Sequence, residues 1–482
     1  MAPATCSYRP LPRQSSAEVI RHFLAGAVLL ISVAAIVAAT LMPGNAIEAG
    51  SIPPSWCLRC GGLWLTDAVS NVLLFTPFGL ALSWCLWRVV PTLKWPAVWV
   101  FAAGLSFSLL IESLQSRGIP PGRSAALADV ATNSVGTLFG FLLWRHSLRL
   151  LLLRGRAAAG MGLIWAMATA LVLTLTSVAL GPRTSLGSSA EAVANPLVLS
   201  RSELTHVPNN PWYEASNDSA RVNGFLVKRG WGGPIIISAS HESLHWRASS
   251  TVRGFDPLGS NIPLLFVHVE EDSSPMLMLS EHGRDAELAI TRRAWDWGLA
   301  VPVLRLKGAF AGRSINDARP LVLEAEVTSA RLILGAASVA AGGEAVGVTG
   351  AAAGSGPVSL ALVPTLGWAM LQTLVAPDSP RAGVVLLAWL LVLYAPLGWW
   401  ATRAWLNQGS QRQALSGSAQ RVVVAAVILA VVLALLPALV LPRVLGVAAL
   451  PGSQWATMLM WLMVGALAGS LVSAKPALPQ QT

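Results

Sequence analysis

Three apolar stretches of this chain carry ionisable or amide side chains at helical spacing. Asp67 and Asn71 stand at i and i+4. Ser108, Glu112 and Gln115 stand at i, i+4 and i+7. Asp129, Asn133, Gly136 and Gly140 stand at i, i+4, i+7 and i+11. A helix puts each set on one face. Polar groups in a membrane are costly, so such faces turn toward a bundle interior or a polar cavity. Glu112 and Asp129 could serve there as acid/base or metal-binding carboxylates. Arg123, in the short GIPPGRSAALAD connection, could clamp a phosphate. A plainer reading stands beside this one. Asp67 and Asp129 begin helices, where Asp caps orphan N–H groups and suits the dipole. Asn133 can hydrogen-bond between helices, and Gly136 with Gly140 makes a GxxxG packing motif. Capping does not account for Glu112. A structural network and a ligand site both remain open.

Cys57 and Cys60 form a CLRC pair ahead of the second apolar stretch. Outside the cytosol a close cysteine pair becomes oxidised. Redox chemistry is an alternative use, but no thioredoxin-like βαβ pattern surrounds the pair. Zinc needs further ligands, and the first half offers only His22 and His146, expected on the opposite side. The expectation is a structural disulfide that pins the loop. In HESLHW, His241 and His245 stand four apart, but the surroundings look like strand or loop rather than a metal-binding helix. Glu270, Glu271 and Asp272 make a solvated acidic turn. No GxSxG, HExxH, P-loop or Rossmann fingerprint occurs. No cofactor or metal is expected, and the balance of signals is against an enzyme.

The elements that must position these residues are membrane helices. Of 482 residues, 54% are hydrophobic and only 12% charged, against about 25% charged in soluble domains. The net charge of +10 fits positive-inside loops and contact with anionic lipid, not nucleic acid. Many of the Trp residues sit near span ends, where their amphipathic rings suit the interface. Apolar runs long enough to span lie at about 22–42, 67–87, 96–116, 127–147 and 158–180. Others follow at 357–376, 382–402, 420–441 and 454–473. Hydropathy alone favours nine spans. Eight remain if one of the later runs is re-entrant or interfacial. Pro77 should bend the second span.

Lys and Arg in short loops set the orientation. Arg9, Arg13, Arg21, Arg88, Lys94, Arg145, Arg149, Arg154 and Arg156 fall on one side, and Arg59, Arg117 and Arg123 on the other. The N-terminus is therefore expected in the cytoplasm and 182–356 outside. The three polar faces then lie in the outer half of the bilayer and make one cluster. Nine spans would put Arg403, Arg412 and Arg421 outside, against the rule. Between 182 and 355, short alternating runs such as PLLFVHVEE and PLVLEAEV, bounded by Gly, Pro, Asn and Ser, predict strands and a β-sandwich.

NVLLFTPFGLAL, SLLIESLQSRGIPPGR and DVATNSVGTLFGFLLW, in that order, resemble the VanZ-like family. The matching positions are Asn71, Phe75, Pro77, Gly79, Glu112, Gln115, Gly122, Arg123, Asp129, Asn133 and Gly136. The resemblance covers about 25–150. The family often has a charged or His-containing segment entering its second helix, and here only Asp67 answers to it. The resemblance implies a link to glycopeptide resistance of the teicoplanin type, acting through the envelope or a lipid-linked wall precursor. It implies no established reaction. Residues 195–330 resemble, more distantly, concanavalin A-like (laminin-G-type) sandwiches, which bind glycans. Trp212, Trp231, Trp246, Trp295 and Trp297 could stack on sugar rings or could be core. No Asp/Asn cluster with calcium-ligand spacing is present.

The expected fold is therefore a polytopic α-helical membrane protein with an inserted extracytoplasmic all-β, jelly-roll-like sandwich. Its parts are a cytoplasmic N-terminus (1–21), a four-helix VanZ-like domain (22–155) and a fifth helix (156–181). The sandwich (190–335), a linker (336–356), three or four C-terminal helices (357–474) and a tail (475–482) follow. The candidate polar cluster is Asp67, Asn71, Glu112, Gln115, Arg123, Asp129 and Asn133. Expected partners are membrane lipid and an envelope glycan or lipid-linked precursor.

Overall fold

A computed structural model describes residues 16–41, 56–58, 63–120, 123–181, the strands between 197 and 269, 272–312, 321–339, 345–346, 357–372, 375–377, 379–406 and 417–473. The chain divides into two compact units, Met1–Leu152 and Leu153–Thr482.

The first unit holds α1 (Ser16–Leu41), α2 (Trp64–Val89), α3 (Pro96–Gln115) and α4 (Leu127–Leu151). Proline opens α3, where its missing N–H is harmless. Pro77 lies inside α2, which continues on both sides of it. Ile36, Phe75, Phe78 and Ile111 form the buried core between α1, α2 and α3, with Phe107 beside them. Phe75, Phe78 and Phe107 pack as an aromatic group, with ring centroids 5.5–6.2 Å apart. Apolar side chains such as Leu73, Trp99, Leu110 and Val135 are exposed, as helices bathed in lipid require.

The second unit begins with α5 (Gly155–Leu180). Its strands are β1 (Leu197–Val198), β2 (Asn217–Val222), β3 (Phe225–Val227), β4 (Pro234–Ile235), β5 (His245–Val252), β6 (Ile262–Val269), β7 (Asp272–His282) and β8 (Asp285–Ile290). A single-turn helix α6 (Arg293–Asp296) follows. Then come β9 (Leu304–Leu306), β10 (Leu321–Thr328), β11 (Arg331–Val339), β12 (Ala345–Val346) and β13 (Val358–Ala361). The chain ends with a short helix α7 (Gly367–Met370) and with α8 (Ala382–Leu406), α9 (Gly417–Leu445) and α10 (Gly452–Ser473).

The strands make antiparallel sheets in the orders β4-β1-β6-β7-β8-β9 and β12-β11-β10-β5-β2-β3, with β13 on β11. Alternation is clear on β10, where Leu321, Leu323, Ala325 and Val327 are buried. In the other sheet a buried row crosses β7, β8 and β9. Leu279 pairs with Leu288, and Leu288 with Leu304, and all three are buried. Strand pairing runs to Ala361, past the expected domain end at 335 and through the expected linker.

The run 357–376 does not form a span. It supplies β13, a 3-10 turn at Pro364–Leu366 and α7. Leu362 to Met370 are buried. The Leu362 carbonyl accepts from Ala448 N–H at 2.9 Å, and Met370 from Ala300 N–H at 3.2 Å. The Thr365 hydroxyl donates to Gln454 Oε1 at 2.5 Å. The segment is apolar because protein surrounds it, not lipid. Among the described residues, eight helices are long and apolar enough to cross a membrane, so the nine-span expectation is corrected to eight.

Small residues bring helices of this unit to backbone contact. Gly398 on α8 faces the Leu462 carbonyl of α10, and Gly465 faces that of Ala395. Trp165 Nε1 and Thr169 Oγ1 on α5 both donate to the Leu393 carbonyl, at 3.1 and 3.2 Å. Leu393 lies within one turn of Pro396, which stands inside α8.

Candidate functional site

The polar residues of the first unit are assembled by close helix packing. A Cβ on Gly136 would press on the Val72 carbonyl and Cα. One on Gly140 would meet the Thr76 carbonyl and the Leu80 nitrogen. Gly79 faces the Thr137 backbone in return. The GxxxG of α4 is thus a packing device, as its plainer reading had it. Gly104 faces the Thr137 side chain and sets α3 against α4. The start of α2, the end of α3 and the start of α4 thereby supply polar groups to one region.

Glu112 is only 2% exposed. Its Oε2 accepts the N–H of Ala126 at 2.9 Å. Ala126 is the residue that leads into α4, where helix N–H groups need external acceptors. A carboxylate from α3 therefore holds the entry to α4 and suits its dipole. On the next residue, Leu127 N–H donates to the Cys57 carbonyl at 3.0 Å. Cys57 and Ala126 form a parallel β-bridge. Cys57 is disulfide-bonded; its expected partner, Cys60, lies outside the described residues.

Arg123 is exposed, and its Nη2 donates to the Ala39 carbonyl of α1 at 3.0 Å. Its charge acts on Asp67, Glu112 and Asp129 together. Asp67 is exposed and Asp129 half-buried. Asn71 hydrogen-bonds Asp129 and reaches Thr132 Oγ1 at 3.5 Å. Gln115 Nε2 donates to the Thr40 carbonyl at 3.2 Å. Deeper in the unit, Asn133 Nδ2 donates to Ser108 Oγ at 2.9 Å. Its Oδ1 is buried with no hydrogen-bond partner among the described residues.

Asp67, Asn71, Glu112, Arg123 and Asp129 thus interact as one group. Gln115 belongs to the α1–α3 seam and Asn133 to the α3–α4 seam. Asp67, Glu112 and Asp129 face one guanidinium, so carboxylates exceed cations there among the described residues. No group of three or more His, Cys, Asp and Glu could hold a metal among the described residues. Sequence reasoning missed the partners from the main chain: the Ala39, Thr40 and Cys57 carbonyls and the Ala126 N–H. No side-chain spacing could have shown them.

Of the aromatic candidates in the second unit, Trp212 and Trp231 lie outside the described residues, and Trp246 is placed only as a β5 position. Trp295 and Trp297 are half-buried at α6. There the N–H of Arg293 donates to the Gly181 carbonyl, one residue beyond the α5 span, at 3.3 Å. Rings at that level suit a membrane–water interface.

Residues 17–152 match the family model described as VanZ/LLP1. The match covers the first helical unit and under a third of the chain. No curated protein and no solved structure matches the chain, so the likeness of 195–330 to concanavalin A-like domains gains no support from them.

Proposed function

We propose that this chain is a VanZ-like membrane protein of the cell envelope that acts by binding rather than by catalysis. Its outer strands fold as a jelly-roll-like sandwich and hold a glycan or another envelope component. Its helices anchor that domain, and its activity contributes to glycopeptide tolerance of the teicoplanin type. One observation carries the choice against catalysis. The buried Glu112 carboxylate is committed to the Ala126 N–H, a holding role at the entry to α4. The surplus of carboxylates around Arg123 also disfavours a bare phosphate there, because like charges repel.

The eight helices bear on orientation. With the N-terminus in the cytoplasm, eight spans return the segment carrying Arg403, Arg412 and Arg421 to the cytoplasmic side. The conflict with the positive-inside rule then disappears. Residues 182–356 remain extracytoplasmic, on the side of the Asp67, Glu112 and Asp129 group. The cytoplasmic membrane is the proposed location.

A second reading rests on the exposure of Asp67 and Arg123. A membrane enzyme or transporter could act on a lipid-linked wall precursor, with Glu112 and Asp129 as acid/base groups and Arg123 on the substrate. Glu112→Gln separates the two. Binding without catalysis predicts wild-type glycopeptide tolerance and envelope composition in the folded variant. Loss of both, with normal expression, supports the second reading.

A further inference from the structure

The end of the first unit away from the Glu112 group is positively charged. Arg88 stands in the last turn of α2 and Arg149 in the last turn of α4. Arg145 lies one turn before Arg149, on the same helix face, and Lys94 lies in the connection from α2 to α3. Lys94, Arg145 and Arg149 are exposed, and Arg88 is half-buried. No Asp or Glu occurs in 68–111 or 130–152, so these cations have no acidic neighbour on their own elements. Among the described residues none of the four makes an ion pair. The last turn of α1 meets Gln115 and Arg123, so α1 begins at the charged end. It brings Glu18 and Arg21 there, whose charges cancel.

Aromatic and apolar side chains stand among these cations. The guanidinium carbon of Arg88 is 5.2 Å from the Trp87 ring centroid, a cation–π separation. Trp87 packs on Trp144, with centroids 6.0 Å apart, and Trp144 directly precedes Arg145. Trp95 follows Lys94, is 77% exposed and has a φ of 62°, a left-handed conformation that favours glycine. Trp99, Val89 and Leu148 are exposed as well. Indole rings placed outward in this way suit the headgroup level of a bilayer. Long basic side chains lay their stems on apolar surface there and put their charges among the headgroups. Exposed Val89, Trp95 and Leu148 favour lipid over an acidic soluble protein as what meets the cations. Net negative charge on the lipid supplies the counterions that the protein does not.

We propose that this end of the first unit is a binding surface for anionic lipid. Lys94, Arg145 and Arg149 meet the headgroup charge, Arg88 is held against Trp87 beside them, and Trp95 and Trp99 seat in the interface. The surface lies at the opposite end of the unit from the Glu112 group and does not depend on how that group is used.

The test uses the full-length protein, stripped of lipid in a neutral detergent. Phosphatidylglycerol and phosphatidylcholine are compared in mixed micelles, with thermal unfolding and lipid retention in native mass spectrometry as readouts. Both lipids carry one phosphate, but choline cancels the charge of the second. Wild type should be stabilised by phosphatidylglycerol in preference to phosphatidylcholine, and high salt should shrink the preference. The combined Lys94→Gln, Arg145→Gln and Arg149→Gln variant should lose roughly tenfold or more in apparent affinity for phosphatidylglycerol. Arg117→Gln, which removes an exposed cation from the other end of the unit, should keep wild-type affinity. Should the triple variant fail to fold, Arg149→Gln alone decides, with an expected loss of about fivefold. Equal responses to the two lipids in wild type overturn the surface. So does a folded triple variant with an unchanged response. An equal loss per charge in Arg117→Gln overturns it too, because the response would then follow net charge and not this end of the unit.

Discussion

Removing the Glu112 carboxylate should loosen the entry to α4 by an amount that depends on what replaces it. In Glu112→Ala the Ala126 N–H loses its acceptor, which is 2.9 Å away in the wild type. A hydrogen bond to a charged group contributes about 1.5–3 kcal/mol, and a stranded buried donor costs a similar amount. The side chain is 2% exposed, so truncation also leaves a cavity. Together these put Glu112→Ala at about 2–4 kcal/mol of destabilisation. Glu112→Gln keeps an oxygen in reach of the same N–H and loses only the charge assistance, about 1 kcal/mol. Thermal unfolding in nanodiscs, followed by tryptophan fluorescence, should therefore rank wild type above Glu112→Gln, and Glu112→Gln well above Glu112→Ala. Limited proteolysis in the 116–126 connection should follow the same order. The reasoning is refuted if Glu112→Ala melts with wild type. It is equally refuted if Gln and Ala cost the same, because an acceptor oxygen would then have no value at that position.

Further outcomes follow from the packing. Gly140→Ala should destabilise the first unit by about 1–3 kcal/mol, because its Cβ would meet the Thr76 carbonyl and the Leu80 nitrogen. Gly26→Ala, with open space around it, should be neutral or slightly stabilising in the same unfolding assay. Cys57→Ser should lower the melting temperature, because it removes the disulfide of Cys57, which holds in place the main chain that accepts from Leu127 and bridges to Ala126. Without reductant, Cys57 should also resist a maleimide in the folded wild type. Gln454→Leu should cost about 1–3 kcal/mol, since it strands the buried Thr365 hydroxyl, and should raise amide exchange across 362–370.

The periodic part of the fold was legible in the sequence. The spacing of Asp67 with Asn71, and of Asp129 with Asn133, located helix faces because 3.6-residue periodicity survives in any environment. The limits of α2 to α5 follow from apolar length. The run 357–376 misled because hydropathy reports removal from water and does not tell a span from a segment buried in protein. Pro364, and the polar Thr365 that finds Gln454, are the local signs that this stretch is not a lipid-facing helix. The role of Glu112 was only half legible. Its burial could be argued from its place in α3, but its partner is a main-chain N–H in a connection whose path no pattern specifies. The disulfide loop was expected to be pinned; that its pairing partner would be Ala126 was not readable, since a single parallel bridge leaves no periodic trace. The short strands were recognisable from alternation, as in Leu321 to Val327, but their order across the sheets depends on long-range pairing that local sequence does not encode.

Under the proposed function, this protein binds an envelope component and its intramembrane carboxylates hold structure rather than perform a reaction. The most direct test is the teicoplanin tolerance of cells whose only copy carries Glu112→Gln, with membrane abundance matched to wild type and a deletion strain as baseline. Binding without catalysis predicts tolerance equal to wild type and clearly above the deletion. Tolerance at the deletion level, from a variant that is folded and present in normal amount, would contradict it.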